Sequence, residues 1–128
     1  MNNFRQTLFP SWSLWPSRLL FLATLLFISQ QMLTDNPITG SVSVWDKLAH
    51  FGVWGIVVTL SYYSCQSQHH FIIAAIVVFV YSTGVEILQP MIAQRFFSFG
   101  DIIANGLGCL TAAFLVPRVD QWLYQKFY

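Results

Sequence analysis

Ionisable and amide side chains are concentrated in two stretches of this sequence, WDKLAH at 45–50 and EILQPMIAQRFFSFGDIIAN at 86–105. Acids, cations, amides and a histidine held together can transfer protons, bind a phosphate or coordinate a metal ion. The candidate ligand-binding residues are Asp46, Lys47, His50, Glu86, Gln89, Arg95, Ser98, Asp101 and Asn105. Three of them, His50, Glu86 and Asp101, are also candidates for catalysis, because they can accept or donate a proton.

Two kinds of chemistry compete for these side chains. His50 could act as a general base oriented by Asp46, with Glu86 as the acid, because histidine titrates near neutral pH. No nucleophile with an evident partner accompanies them, which weakens the catalytic interpretation. A metal ion held by Asp46, His50, Glu86 and Asp101 is the other possibility. Their spacing matches no standard ligand motif, so we predict no metal and no cofactor.

The rest of the chain is strongly apolar, and this composition indicates the class of protein. Charged residues make up 9% of the 128 residues, against roughly 25% in an ordinary soluble protein, and 55% are hydrophobic. So little polar surface indicates that lipid covers the molecule. The net charge of +1 provides no basic surface for nucleic acid. Cys65 and Cys109 have no motif spacing, and we interpret both as apolar packing residues.

Four apolar segments predict four helices. They cover residues 19–33, 47–65, 71–89 and 101–116, and the last two end at Pro90 and Pro117. The first approaches the roughly 20 residues of a membrane span only if residues 14–16 are included. A signal peptide is the alternative, but no convincing cleavage site follows, so we favour an uncleaved helix. The sequence therefore predicts an all-α integral membrane bundle of four transmembrane helices, in a single domain covering residues 1–128.

Basic residues near the chain ends determine the predicted orientation, because cytoplasmic segments carry more lysine and arginine. Arg5 and Arg18 precede or open the first helix, and Arg118 and Lys126 follow the last. We therefore place both termini in the cytoplasm. Residues 1–45 form an interfacial segment and the first transmembrane helix in this interpretation.

Helical periodicity places the candidate residues on three stripes at the outer end of the bundle. At about 100° per residue, each stripe falls within one arc of its helix. The stripes are Asp46, Lys47 and His50; Ser82, Glu86 and Gln89; and Asp101, Asn105 and Gly108. A charge within the bilayer costs on the order of 3 kcal/mol, so such groups are expected to face one another or water. The sequence predicts one outward-opening polar pocket, with Arg95 closing over it or pairing with Glu86 or Asp101.

Two local patterns support this arrangement. Ser98, three residues before Asp101, resembles a capping box and predicts that the fourth helix starts there. Gly106 and Gly108 leave a notch where another helix backbone can approach, and Gly52 and Gly55 offer the same on the second helix.

These motifs resemble those of the VanZ-like membrane proteins. DKLAHF at 46–51, GVEILQP at 84–90 and RFFSFGDIIANGLG at 95–108 follow the family pattern D-K-x-x-H-F, E-x-x-Q and R-x-x-S-x-x-D-x-x-x-N-x-x-G. The resemblance covers about residues 46–112. It implies a small multi-pass protein of the bacterial inner membrane concerned with the cell envelope. The family is named for a protein that gives resistance to teicoplanin, a lipoglycopeptide antibiotic, so a link to such resistance is also implied.

Three functions fit these residues. The first is a site for a membrane lipid or a lipid-linked cell-wall precursor, whose phosphate the cations and amides hold while apolar grooves take the tail. The second is a structural or regulatory membrane subunit, in which polar contacts only hold the helices together, at about 0.6–2 kcal/mol each. The third, a proton-coupled carrier, is least favoured because four short helices show no inverted repeat. Enzymatic activity and oligomeric state stay open.

Overall fold

The chain folds into four α-helices in a computed structural model that describes residues 14–34, 44–93 and 95–127. The helices are α1 (Leu14–Met32), α2 (Val44–Ser64), α3 (Gln68–Ile92) and α4 (Phe99–Phe127). None of the described residues is in a β-strand. The prediction of an all-α chain with four helices is therefore confirmed. The described residues do not include the predicted interfacial segment before residue 14, which contains Arg5. Most of the predicted loop 34–46 also lies outside them.

Pro90 and Pro117 lie inside α3 and α4, so the prediction that each proline ends its helix is wrong. Proline removes one backbone donor and crowds the carbonyl four residues earlier, at a cost of about 3 kcal/mol in a helix interior. Pro90 stands near the end of α3, where little helix follows. Pro117 is followed by further helix through Phe127. In an apolar environment an interrupted helix leaves more backbone groups without partners, which favours continuing it.

Serine side chains start the third and fourth helices. The hydroxyl oxygen of Ser67 accepts a hydrogen bond from the backbone N–H of His70 at 3.3 Å, after a short turn from α2. Ser98 has the same role for α4, and its hydroxyl oxygen accepts from the backbone N–H of Asp101 at 3.3 Å. The predicted cap at Ser98 is confirmed. It fixes Asp101 in the first turn of α4.

The helices pack around α2, which contacts the other three. It approaches α4 so closely at Gly108 that a Cβ atom built there would overlap the backbone carbonyl oxygen of Phe51. Gly55, one turn further along α2, lies against the Gly108 backbone. The predicted notch at Gly108 is therefore filled by the backbone of α2. Gly52, predicted to form part of a second notch, faces open space.

Polar side chains are buried and large apolar ones exposed, which is unusual for a protein surrounded by water. An apolar core built on Trp54, Val57 and Val58 occupies the middle of the bundle. Exposed apolar side chains occur along every helix and include Leu26, Ile56, Ile76, Val80, Leu107 and Leu110. By length and composition, α3 and α4 are candidate membrane spans within the described residues.

Candidate functional site

One end of the bundle gathers charges from three helices and from the segment before α4. Helices α1 and α3 end there, and α2 and α4 begin there, so residues far apart in sequence meet. We call this group the polar cluster. Its members are Asp46, Lys47, His50, Glu86, Arg95, Asp101 and Asn105.

His50 lies at the centre of the polar cluster, with 1% of its surface exposed. Its Nδ1 is 2.9 Å from Oδ1 of Asn105 on α4. An amide oxygen can only accept, so Nδ1 donates the hydrogen of this contact. The other ring nitrogen, Nε2, faces Asp46 Oδ1 at 3.9 Å and Asp101 Oδ2 at 3.8 Å. The residue that orients the ring is therefore Asn105, whereas the sequence predicted Asp46.

Two ion pairs cover the outer side of the polar cluster. Lys47 Nζ lies 3.6 Å from Asp101 Oδ1, and Arg95 Nη2 lies 3.6 Å from Asp46 Oδ1. The lysine side chain is 44% exposed and the arginine side chain 16%, whereas both aspartates are buried. The sequence predicted Glu86 or Asp101 as the partner of Arg95, and the structure pairs it with Asp46. The cations thus form the outer surface of a group whose acids lie underneath.

Glu86 reaches the polar cluster from α3 and has 1% of its surface exposed. Its carboxyl group interacts with the backbone N–H of Ser98 and with the charges of Asp101 and Arg95. Its Oε1 has no hydrogen-bond partner among the described residues. The Glu86 carboxyl group therefore forms the part of the polar cluster that α3 contributes.

Gln89, predicted to bind a ligand, instead ties α3 to α1. Its Nε2 donates to the backbone carbonyl of Met32 at 3.1 Å and also approaches the Met32 sulfur. Ser98 serves as the helix cap described above. Both residues therefore hold the elements that surround the polar cluster, and neither makes a side-chain contact with its charged groups in the described hydrogen bonds and ion pairs.

Several buried polar atoms of the polar cluster have no hydrogen-bond partner within the described residues. They are Asp46 Oδ1, His50 Nε2, Glu86 Oε1, Arg95 Nη1, Asp101 Oδ1 and Asn105 Nδ2. Each unsatisfied buried group costs about 1–3 kcal/mol, and native proteins keep few of them. Such a concentration is more typical of a binding site than of a packed core. The cluster is also more enclosed than the predicted outward-opening pocket, because its acids, histidine and amide are buried.

Comparison with known families identifies the chain. The VanZ/LLP1 family model matches residues 3–120 of the 128. The chain belongs to the VanZ/LLP1 family. Comparisons with curated proteins and with solved structures found no match. Family membership and the two candidate spans together indicate that this VanZ-like protein is a membrane protein.

A further buried acid, Asp120, lies at the opposite end of this VanZ-like protein, and the sequence analysis missed it. Tyr62 donates its hydroxyl hydrogen to Asp120 Oδ2 at 2.9 Å, and Tyr63 interacts with the same carboxylate. Asp120 was missed because α4 was expected to end at Pro117, three residues earlier. With the helix continued at about 100° per residue, Asp120 falls about 20° from Cys109, on the buried face of α4.

Two apolar grooves run along α4 of this VanZ-like protein. The larger, of about 330 Å³, lies between α3 and α4, and its lining includes Phe71, Phe79, Gly106, Cys109 and Ala113. The smaller, of about 240 Å³, lies between α2 and α4. No member of the polar cluster lines either groove.

Proposed function

We propose that this VanZ-like protein crosses the bacterial inner membrane four times, with both termini in the cytoplasm. Helices α1 and α2 have 19 and 21 residues. At 1.5 Å per residue they measure about 28–32 Å, close to the roughly 30 Å of a bilayer core. Exposed apolar side chains such as Leu26 and Ile56 suit contact with lipid. Arg18, Arg118 and Lys126 at the other end favour a cytoplasmic position for it, which leaves the polar cluster near the outer leaflet.

Labelling of single cysteines tests this topology. Phe96 lies beside the polar cluster and Gln68 starts α3 at the other end, and both are exposed. We expect Phe96→Cys to react with a membrane-impermeant maleimide in intact spheroplasts and Gln68→Cys to react only after lysis. Cys65 and Cys109 are replaced by alanine in both proteins. Reaction of Gln68→Cys from outside, alone or together with Phe96→Cys, would contradict the proposed topology.

At the outer leaflet, the protein binds the phosphate headgroup of a membrane lipid or of a lipid-linked cell-wall precursor. The observation that carries this proposal is the distribution of charge, with Lys47 and Arg95 on the outside and acids buried beneath them. Each cation lies 3.6 Å from its carboxylate. A close charge-assisted hydrogen bond measures about 2.7–2.9 Å, so both cations keep donors available for a phosphate. Arg95 Nη1 in addition has no hydrogen-bond partner in the described chain.

The surroundings of the polar cluster suit the rest of a lipid. Exposed Trp45, Phe96 and Phe99 flank it, and aromatic side chains are frequent at the depth of lipid headgroups. The larger apolar groove lies between the same two helices, α3 and α4, that carry Glu86 and Asp101, and its lining suits an acyl or prenyl chain. Lipoglycopeptide antibiotics attack cell-wall precursors at this face of the membrane. Binding of such a precursor would connect the site with the resistance for which the family is named.

A lipid titration tests the proposal. The purified protein is titrated in detergent with phosphatidic acid and with diacylglycerol of the same acyl chains, which differ only in the phosphate. We expect saturable binding of phosphatidic acid alone. Lys47→Ala should weaken it about tenfold or more, because a hydrogen bond to a charged group contributes about 1.5–3 kcal/mol.

The matched control is Lys126→Ala, which removes a cation that lies against Trp122 at the opposite end. It should bind phosphatidic acid as the wild type does. Equal binding of the two lipids, or equal weakening by both substitutions, would count against a phosphate site at Lys47.

A structural or regulatory membrane subunit is the second candidate. It is favoured by the contact between His50 and Asn105, which joins α2 to α4 deep inside the bundle. In that case substitutions in the polar cluster lower stability and change nothing else. The two candidates therefore differ in whether lipid binding can be lost while the fold stays stable.

A further inference from the structure

We infer that Asp46, His50 and Asp101 bind a divalent transition-metal ion. This inference goes beyond the proposed function, and it can be tested without any lipid. One nitrogen of His50 and one oxygen of each aspartate lie within 4.8 Å of one another, and all three residues are buried. The donors come from the first two turns of α2 and the first turn of α4. The contact between Phe51 and Gly108 holds these two helices at a fixed spacing.

The distances suit an ion after a small adjustment. His50 Nε2 lies 3.9 Å from Asp46 Oδ1 and 3.8 Å from Asp101 Oδ2. Around an ion with bonds of about 2.1 Å, tetrahedral ligand atoms are about 3.4 Å apart, so each of the two pairs that include His50 needs to close by only about half an ångström. The two aspartate oxygens lie within 4.8 Å of each other and need to close by at most about 1.4 Å. Both oxygens are terminal atoms of short side chains that can rotate by this amount.

The histidine directs a ring nitrogen without a hydrogen-bond partner into this group. Its Nδ1 donates to Asn105 Oδ1 at 2.9 Å, and its Nε2 has no hydrogen-bond partner in a residue that is 1% exposed. A lone pair that faces two carboxylates is repelled unless a proton or a cation lies between them. Histidines that bind metals are commonly held in this way, with the other ring nitrogen donating to an oxygen.

The charges and donor types indicate which ion fits. Counted as ionised, the carboxylates of Asp46, Glu86 and Asp101 outnumber the cations Lys47 and Arg95, and a divalent ion reverses the sign of the cluster. One imidazole nitrogen with two carboxylate oxygens suits Zn²⁺, Mn²⁺ or Fe²⁺ more than the softer Cu⁺.

Lys47 controls access to the three donors. Its Nζ lies 3.6 Å from Asp101 and its side chain is 44% exposed. The Cε of Lys47 lies against Gly100, which has no side chain that would restrict rotation of the lysine. Rotation of the lysine away from Asp101 would uncover the aspartate oxygens from the solvent side.

Metal analysis of the purified protein tests the inference. The full chain, free of any histidine tag, is stripped with EDTA in detergent and then loaded with Zn²⁺ or Mn²⁺. Bound metal is measured by mass spectrometry of the elements, together with the melting temperature. We expect one ion per chain and a rise in melting temperature that EDTA reverses. His50→Gln and Asp101→Asn should lose both effects.

Matched substitutions outside the site serve as controls. His70→Gln changes an exposed histidine and Asp120→Asn a buried aspartate at the other end, and both should keep the ion. Asn105→Ala leaves all three ligands in place and frees only the Nδ1 hydrogen of His50. It should weaken metal binding about 10–100-fold. This variant decides the question even where a ligand variant fails to fold.

The inference is overturned by any of three results. The first is that the stripped wild type takes up no ion, and the second is that His50→Gln holds the ion as tightly as the wild type. The third is that Asn105→Ala binds the metal with unchanged affinity.

Discussion

Gly108→Ala is expected to lower the melting temperature of the purified protein strongly, whereas Gly52→Ala should leave it unchanged or raise it slightly. The added methyl group at position 108 would overlap the backbone carbonyl oxygen of Phe51. Backbone cannot rotate away as a side chain can, so α2 and α4 must separate. Overpacking of this kind costs about 1–3 kcal/mol and occasionally more. At Gly52 the methyl group meets no atom within 4 Å, and alanine favours the helix by up to about 1 kcal/mol.

Thermal unfolding in one detergent, with both proteins purified in parallel, measures this difference. Because α2 carries Asp46 and His50 while α4 carries Asp101 and Asn105, separation of the helices should also weaken any ligand binding by the polar cluster. Equal melting temperatures for the two alanine variants would mean that α2 and α4 do not cross at Gly108.

Arg95→Met is expected to destabilise the protein by about 3–5 kcal/mol, the cost of leaving one partner of a buried ion pair without the other. Arg95 is the cation beside Asp46, and the aspartate side chain is 4% exposed. The control is Arg118→Met, which removes an exposed arginine stacked on Phe114. A surface change of that kind usually alters stability by no more than about 0.5 kcal/mol.

A double-mutant cycle separates the ion pair from other effects of the arginine. Asp46→Asn removes the charge that Arg95 compensates. The double variant should therefore be more stable than the sum of the single effects requires. Free energies of unfolding are measured by denaturant titration in mixed micelles. Strict additivity would show that Arg95 and Asp46 do not interact in the folded protein.

The faces of the helices could be predicted because lipid excludes charge. Asp46, Glu86 and Asp101 stand in otherwise apolar segments, and at helical spacing each shares a stripe with other polar residues. The structure buries all three, together with His50 and Asn105. Periodicity therefore predicts the inward face of each helix, although Lys47, on the same stripe as Asp46 and His50, keeps its side chain 44% exposed.

Contacts between side chains of different helices could not be predicted. Periodicity shows which way a residue faces, but it does not show which residue of another helix lies opposite. Gln89 shares the stripe of Glu86 but donates to the carbonyl of Met32, since the end of α1 lies against that turn of α3. Asn105, and not Asp46, orients His50 for the same reason. These contacts depend on the rotation and spacing of whole helices.

The behaviour of the prolines was the main error in the predicted helix boundaries. A proline costs a helix one hydrogen bond, but the residues after Pro117 gain a continuous helix and a buried contact between Asp120 and Tyr62. A rule that ends a helix at proline considers only the lost hydrogen bond and not the contacts that later residues of the helix make. As a result the buried acid at the opposite end of the bundle was not found from the sequence.

The central claim is that the polar cluster binds a ligand and does more than hold the helices together. The most direct test is the dissociation constant for phosphatidic acid and the melting temperature of Lys47→Ala, measured on one preparation. The lysine side chain is 44% exposed and that of Arg95 only 16%, so we expect Lys47→Ala to lower the melting temperature less than Arg95→Met does and to weaken binding about tenfold. Binding equal to that of the wild type, or weakened only in proportion to a loss of stability, would contradict the claim.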